Sequence, residues 1–131
     1  MKQKFILDLA SAKRIAAAAE QEADGNDWQV AIVVVDDAGH LLYLQRDTVQ
    51  LGSIDVAINK AKSAALYKRP TKVWEDIVNG GRPGYMALPG LLPLEGGLPL
   101  VYKDETIGAI GISGVKSDQD GIIALAGVNA L

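Results

Sequence analysis

Three residues in one short stretch have the chemistry to hold a ligand: Arg82, Tyr85 and Met86, within the Gly- and Pro-rich segment 80–97. Arg82 can pair a carboxylate through a bidentate fork. Tyr85 can stack on a flat ring or ligate weakly, and Leu88, Leu91 and Leu92 can exclude water. This mixture suits a planar anionic ligand, or alternatively a loop that packs on a neighbouring subunit. The pairs Gly80-Gly81 and Gly96-Gly97 allow backbone to approach a ligand closely, and Glu95 stands beside the second pair as a proton-handling carboxylate. Asp55 and Asn59, one helical turn apart with Lys62 on the same side, form either a solvated helix face or a polar wall of the same site.

Other candidates read as structural. His40 is the single histidine, the first suspect for a metal ligand or general base, but it directly follows the hairpin residue Gly39, where side chains meet solvent. No Gly-x-Ser-x-Gly elbow or His-x-x-x-His pair accompanies it. Asp36, Asp37, Asp47 and Asp55 are too scattered for a metal cluster and fit turn and cap roles. Gly108, Gly111 and Gly114 lack the dinucleotide-binding spacing; missing side chains there let a helix or another subunit approach the strand. Ser117-Asp118-Gln119-Asp120 has the form of a capping box, with an aspartate in the last place, rather than an anion site.

The elements that must position these residues follow from periodicity. Asp8 caps a helix over 9–24 with Leu9, Ala12, Ile15, Ala16, Ala19 and Ala23 on one face, and Gly25 ends it. A stripe built mostly of alanine implies close approach to a sheet. Residues 29–36 form a strand apolar on both faces, to be covered by helices or by another subunit. A turn at Asp36-Asp37-Ala38-Gly39 returns the chain as a strand over 41–46. Ser53 caps a helix that buries Ile54, Ala57, Ile58, Ala61, Ala64 and Ala65; Pro70 closes it, and Thr71 caps a shorter helix stopped by Gly80-Gly81. Segment 80–97 holds little regular structure. Strands at 98–103 and 106–113, joined at Asp104-Glu105, precede a last helix over 118–130. Helix, hairpin, helices, hairpin, helix is an α/β arrangement of the α+β kind, an antiparallel sheet flanked by helices in a single domain over 1–131.

Three motifs sharpen this picture: Val33-Val34-Val35-Asp36-Asp37-Ala38-Gly39-His40-Leu41, Glu95-Gly96-Gly97-Leu98-Pro99-Leu100-Val101, and Gly108-Ala109-Ile110-Gly111-Ile112-Ser113-Gly114 leading to Asp118-Gln119-Asp120. With the Ala-rich first helix, they resemble the GlcG/HbpS-like, or haem-degrading domain, family over nearly the whole chain. That resemblance implies a profilin- or PAS-like α/β/α fold, a homo-oligomer, and haem as a cofactor or ligand. The alternatives are a small catabolic enzyme or accessory protein acting on a small oxygenated acid, gripped by Arg82 with Asp55 or Glu95 moving protons, and a structural oligomer without ligand.

Composition bounds the rest. At 131 residues the chain can bury a core without a metal or disulfide staple. A net charge of −3 supplies no basic field for nucleic acid, and the absence of cysteine removes thiolate chemistry and Cys-ligated metal. No apolar run spans a bilayer and Asp8 interrupts any signal-peptide core, so no membrane partner and a cytoplasmic location are expected. A chain 49% hydrophobic and only 22% charged points to a homo-oligomer, although alanine inflates the figure.

Overall fold

The strand around Val33 is apolar on both sides because both sides are covered by the chain itself. In a computed structural model describing residues 1–131, β1 (Ala31–Asp36) is central, and Ala31 to Val35 are all buried. Ile32 and Val34 face α1 (Leu9–Gly25) and α4 (Ser117–Val128); Ala31, Val33 and Val35 face α2 (Ser53–Tyr67). The remaining elements are β2 (Leu41–Gln45), α3 (Thr71–Asn79), a 3-10 helix over Pro83–Ala87, β3 (Gly97–Tyr102) and β4 (Glu105–Ser113). The sheet is fully antiparallel in the order β2-β1-β4-β3. No helix is long and apolar enough to cross a membrane.

Alanine decides how close the helices come. On the α2 face, Ala57, Ala61, Ala64 and Ala65 pack on β1 and β4, and Gly111 removes the last obstacle. A Cβ at Gly111 would collide with the Ala57 carbonyl and lie 2.6 Å from Ala61 N. Larger side chains fill the opposite layer, where Ile15, Ile110, Ile112, Ile123 and Leu100 are enclosed. The glycine-spaced strand is therefore a packing device.

The turns follow local chemistry. Asp36 Oδ1 accepts from both Ala38 N and His40 N at 2.9 Å, and Gly39 takes φ +82°, with a register shift between Val34 and Val35. The second hairpin turns at Lys103-Asp104, one residue earlier than expected. Both residues have positive φ, the form of a two-residue loop matched to strand twist.

Three capping expectations are corrected. The residue before α2 is Gly52, and Ser53 lies inside the helix as a buried residue. Pro70 precedes α3, and Thr71 instead turns inward, its Oγ1 accepting from Gly97 N at 2.9 Å. At α4, Lys116 occupies the cap position and Gln119 Oε1 accepts from its N–H at 3.3 Å. Asp120 points into the protein. In contrast, Asp8 does cap α1, its Oδ1 accepting from Ser11 N at 2.8 Å.

Candidate functional site

Segment 80–97 contains the 3-10 helix, and this helix sets Tyr85 against α3. Amphipathic α3 buries Trp74, whose ring lies 5.6 Å from that of Tyr85 at 34° and 5.6 Å from that of Tyr67 at 73°. The Arg82 guanidinium stands 5.5 Å from the Tyr85 ring centre, and that of Arg69 5.1 Å from Trp74. Tyr67 OH donates to Pro89 O, pinning the segment to the end of α2. The result is an aromatic shelf with a shallow cavity of about 240 Å³ lined by Arg82, Gly84, Tyr85 and Leu88. Met86 beside it is 55% exposed, and Trp74 Nε1 beneath is buried without a hydrogen-bond partner.

The other sequence-derived candidates lie elsewhere. Asp55 and Asn59 are exposed on α2 and line no cavity. Gly96 and Gly97 are buried, and the groups they admit are the protein's own: a Cβ on Gly96 would sit 2.7 Å from Lys60 Nζ, and one on Gly97 2.8 Å from Thr71 Cγ2. Glu95 is half-buried over α4, where a Cβ on Gly121 would meet its Oε2 at 2.6 Å. Burial raises its carboxyl above the ordinary range, opposed by Lys72 and reinforced by Glu75. His40 is exposed on its turn. Gly39 before it and Gly90 in segment 80–97 both border Leu66 of α2. No His, Asp and Glu residues gather into a metal-holding group.

Sequence reasoning overlooked Lys60 and took Asp120 for a capping residue. Lys60 Nζ donates to Asp120 Oδ2 and to Ile112 O, each at 2.9 Å, and Asp120 Oδ1 accepts from Val115 N at 3.3 Å. The pair joins α2, β4 and α4 under Gly96. Burial pushes the Asp120 carboxyl up to about 6, with Lys60 pulling the other way. The signal was present in the periodicity. Lys60 falls three residues after Ala57 and four before Ala64, within the alanine stripe, and Asp120 stands three and four before Ile123 and Ala124 on the buried face of α4.

A cleft of about 500 Å³ opens over this pair, lined by Ser53 and Val56 of α2, Ser113 of β4, Gly114, Ser117 and Leu94 among others. The two surfaces are chemically distinct: one is flat, aromatic and cationic, and the other is hydroxyl-rich with its charges internally paired.

Comparison with known proteins places this architecture. Residues 7–129 match the family described as haem degrading protein HbpS-like. Protein GlcG of Escherichia coli strain K12 is 44% identical over 115 residues, 86% of this chain and 85% of that protein. The crystal structure of a double mutant of Streptomyces reticuli HbpS superposes with a TM-score of 0.92 at 32% identity, covering 100% of this chain and 90% of that one. A crystal structure of a complex of PduOC with haem superposes with a TM-score of 0.87 at 26% identity, covering 97% and 96% of the two chains.

Proposed function

The chain belongs to the HbpS-like family of haem-degrading proteins, and we propose that it binds haem or a kindred carboxylate-bearing tetrapyrrole on the shelf formed by α3 and the 3-10 helix. One observation carries this reading: Arg82 and Arg69 flank the Tyr85 ring and the buried Trp74 ring tilted beneath it, with Leu88 and exposed Met86 alongside. A porphyrin needs an apolar surface and cations at its carboxylate edge; Tyr85 and Leu88 offer the first, and Arg82 and Arg69 the second. Bound iron porphyrin would supply redox chemistry. The chain's part is to orient the ring, pair the carboxylates through Arg82 and Arg69, and offer the Tyr85 hydroxyl and the Met86 thioether as donors of the types known to ligate haem iron.

The bound form is read as a cytoplasmic homo-oligomer. Support comes from the apolar side chains left outside: Leu51 is 75% exposed, and Ile122 and Leu125 of α4 about half so. β1 no longer supports it, since its two faces are covered within the chain. Sedimentation showing only monomer at micromolar concentration would overturn the oligomer. Titration with hemin, read as a shift of the Soret band, tests the ligand: saturable binding weakened by Arg82→Ala supports the shelf, and a titration without saturation rejects it.

A further inference from the structure

We propose that the cleft between the N-terminal end of α2 and the end of β4 is a second binding site, which takes a small uncharged polyhydroxylated compound. The observation that points to a ligand is a pair of nearly buried hydroxyls with no partner in the protein. Ser53 and Ser113 are only 5% and 7% exposed, neither side chain makes a hydrogen bond within the protein, and both line this cleft. Neither oxygen is among the fully sealed side-chain atoms that lack a partner, so both keep an opening to the cleft. Water in the cleft can serve both hydroxyls, and a ligand that bonds both takes that water's place.

The remaining lining fixes the chemical class. Lys60 and Asp120 are the only charged residues there, and they neutralise each other at 2.9 Å. With no unpaired cation, the cleft offers a carboxylate or phosphate no side-chain charge, and Asp120 in the first turn of α4 opposes an anion at that helix's N-terminus. With no unpaired anion, the cleft offers none to an amine. Serine hydroxyls both donate and accept, matching ligand hydroxyls in either role. Val56, Leu94 and Val115 offer apolar contact to the carbon chain between them. The shelf at Arg82 shares no lining residue with this cleft, so the two sites stand independently.

The test compares erythritol with erythronate, the same carbon skeleton carrying a carboxylate, by amide chemical-shift titration of the full chain. Erythritol is expected to give saturable shifts at Ser53, Ser113, Gly114 and Ser117, and erythronate weaker ones. Ser53→Ala and Ser113→Ala should each weaken erythritol binding roughly two- to tenfold, one neutral hydrogen bond apiece. The same variants should melt close to the wild-type temperature, because neither hydroxyl holds a bond within the protein; a structural serine would show a drop. Their hemin titrations should match wild type. Absence of saturable erythritol shifts, tighter binding of erythronate, or erythritol affinity unchanged in both variants would each overturn the proposal.

Discussion

Lys60 and Asp120, sixty positions apart, meet at 2.9 Å with side chains 0% and 3% exposed. Desolvating both charges is expensive, and their attraction together with the bonds to Ile112 O and Val115 N offsets part of that cost. The pair also fixes what surrounds it. Gly96 must lack a side chain, with φ +130° and Lys60 Nζ where a Cβ would point, and Gly96 O in turn accepts from Ile112 N at 3.0 Å.

Removing one partner should therefore be worse than removing both. Lys60→Met strands a buried carboxylate and is expected to cost about 3–5 kcal/mol in urea unfolding near neutral pH. Lys60→Met combined with Asp120→Leu should recover most of that loss. A double variant as unstable as the sum of the two single ones would show that the charges are not energetically coupled.

Stability should also depend on pH through Asp120. Burial raises its folded value from 3.8 to about 6, so the folded state holds the proton more tightly than the unfolded chain. This group's contribution is fully present below the unfolded value, is lost as pH rises through the window up to about 6, and is level above it. The melting temperature of wild type relative to Asp120→Asn is expected to fall across that window. Parallel curves for the two proteins would assign the titration elsewhere.

Gly111→Ala should loosen the α2 layer. The added methyl would collide with the Ala57 carbonyl and crowd Ala61 N, so the helix must retreat from the sheet. Overpacking of this kind costs about 1–3 kcal/mol and occasionally more. Gly25→Ala, where nothing lies within 4 Å, is the matched control and should change stability little. Equal thermal shifts for the two would refute close packing at Gly111.

On the aromatic shelf, Arg82→Ala is expected to weaken hemin binding by about 1.5–3 kcal/mol, the range for a hydrogen bond to a charged group. His40→Ala should leave the titration unchanged, since His40 is exposed on the β1–β2 turn. The reverse ranking would relocate the ligand to that turn, which shares the neighbour Leu66 with segment 80–97.

The sheet and its helices were legible in the sequence because their signals are local. Alternation in Val30–Val35, alanines at helical spacing, Asp8 before α1 and Gly39 after Asp36 each depend on neighbours a few residues away. Serine and threonine near helix starts misled, since Ser53 and Thr71 have capping chemistry and only packing shows that they turn inward. Arg82 and Tyr85 are close in sequence and were expected to act together, and a single 3-10 turn sets Tyr85 against Trp74 of α3 with Arg82 over the Tyr85 ring. The Lys60–Asp120 pair was beyond that reach. Periodicity places each residue on a buried face, but a buried charge is stable only beside a particular partner, and the sequence does not say which partner the fold supplies. Tertiary structure decided that, by bringing α2 and α4 together at the end of β4, and with it came the cleft that Ser53 and Ser113 both line.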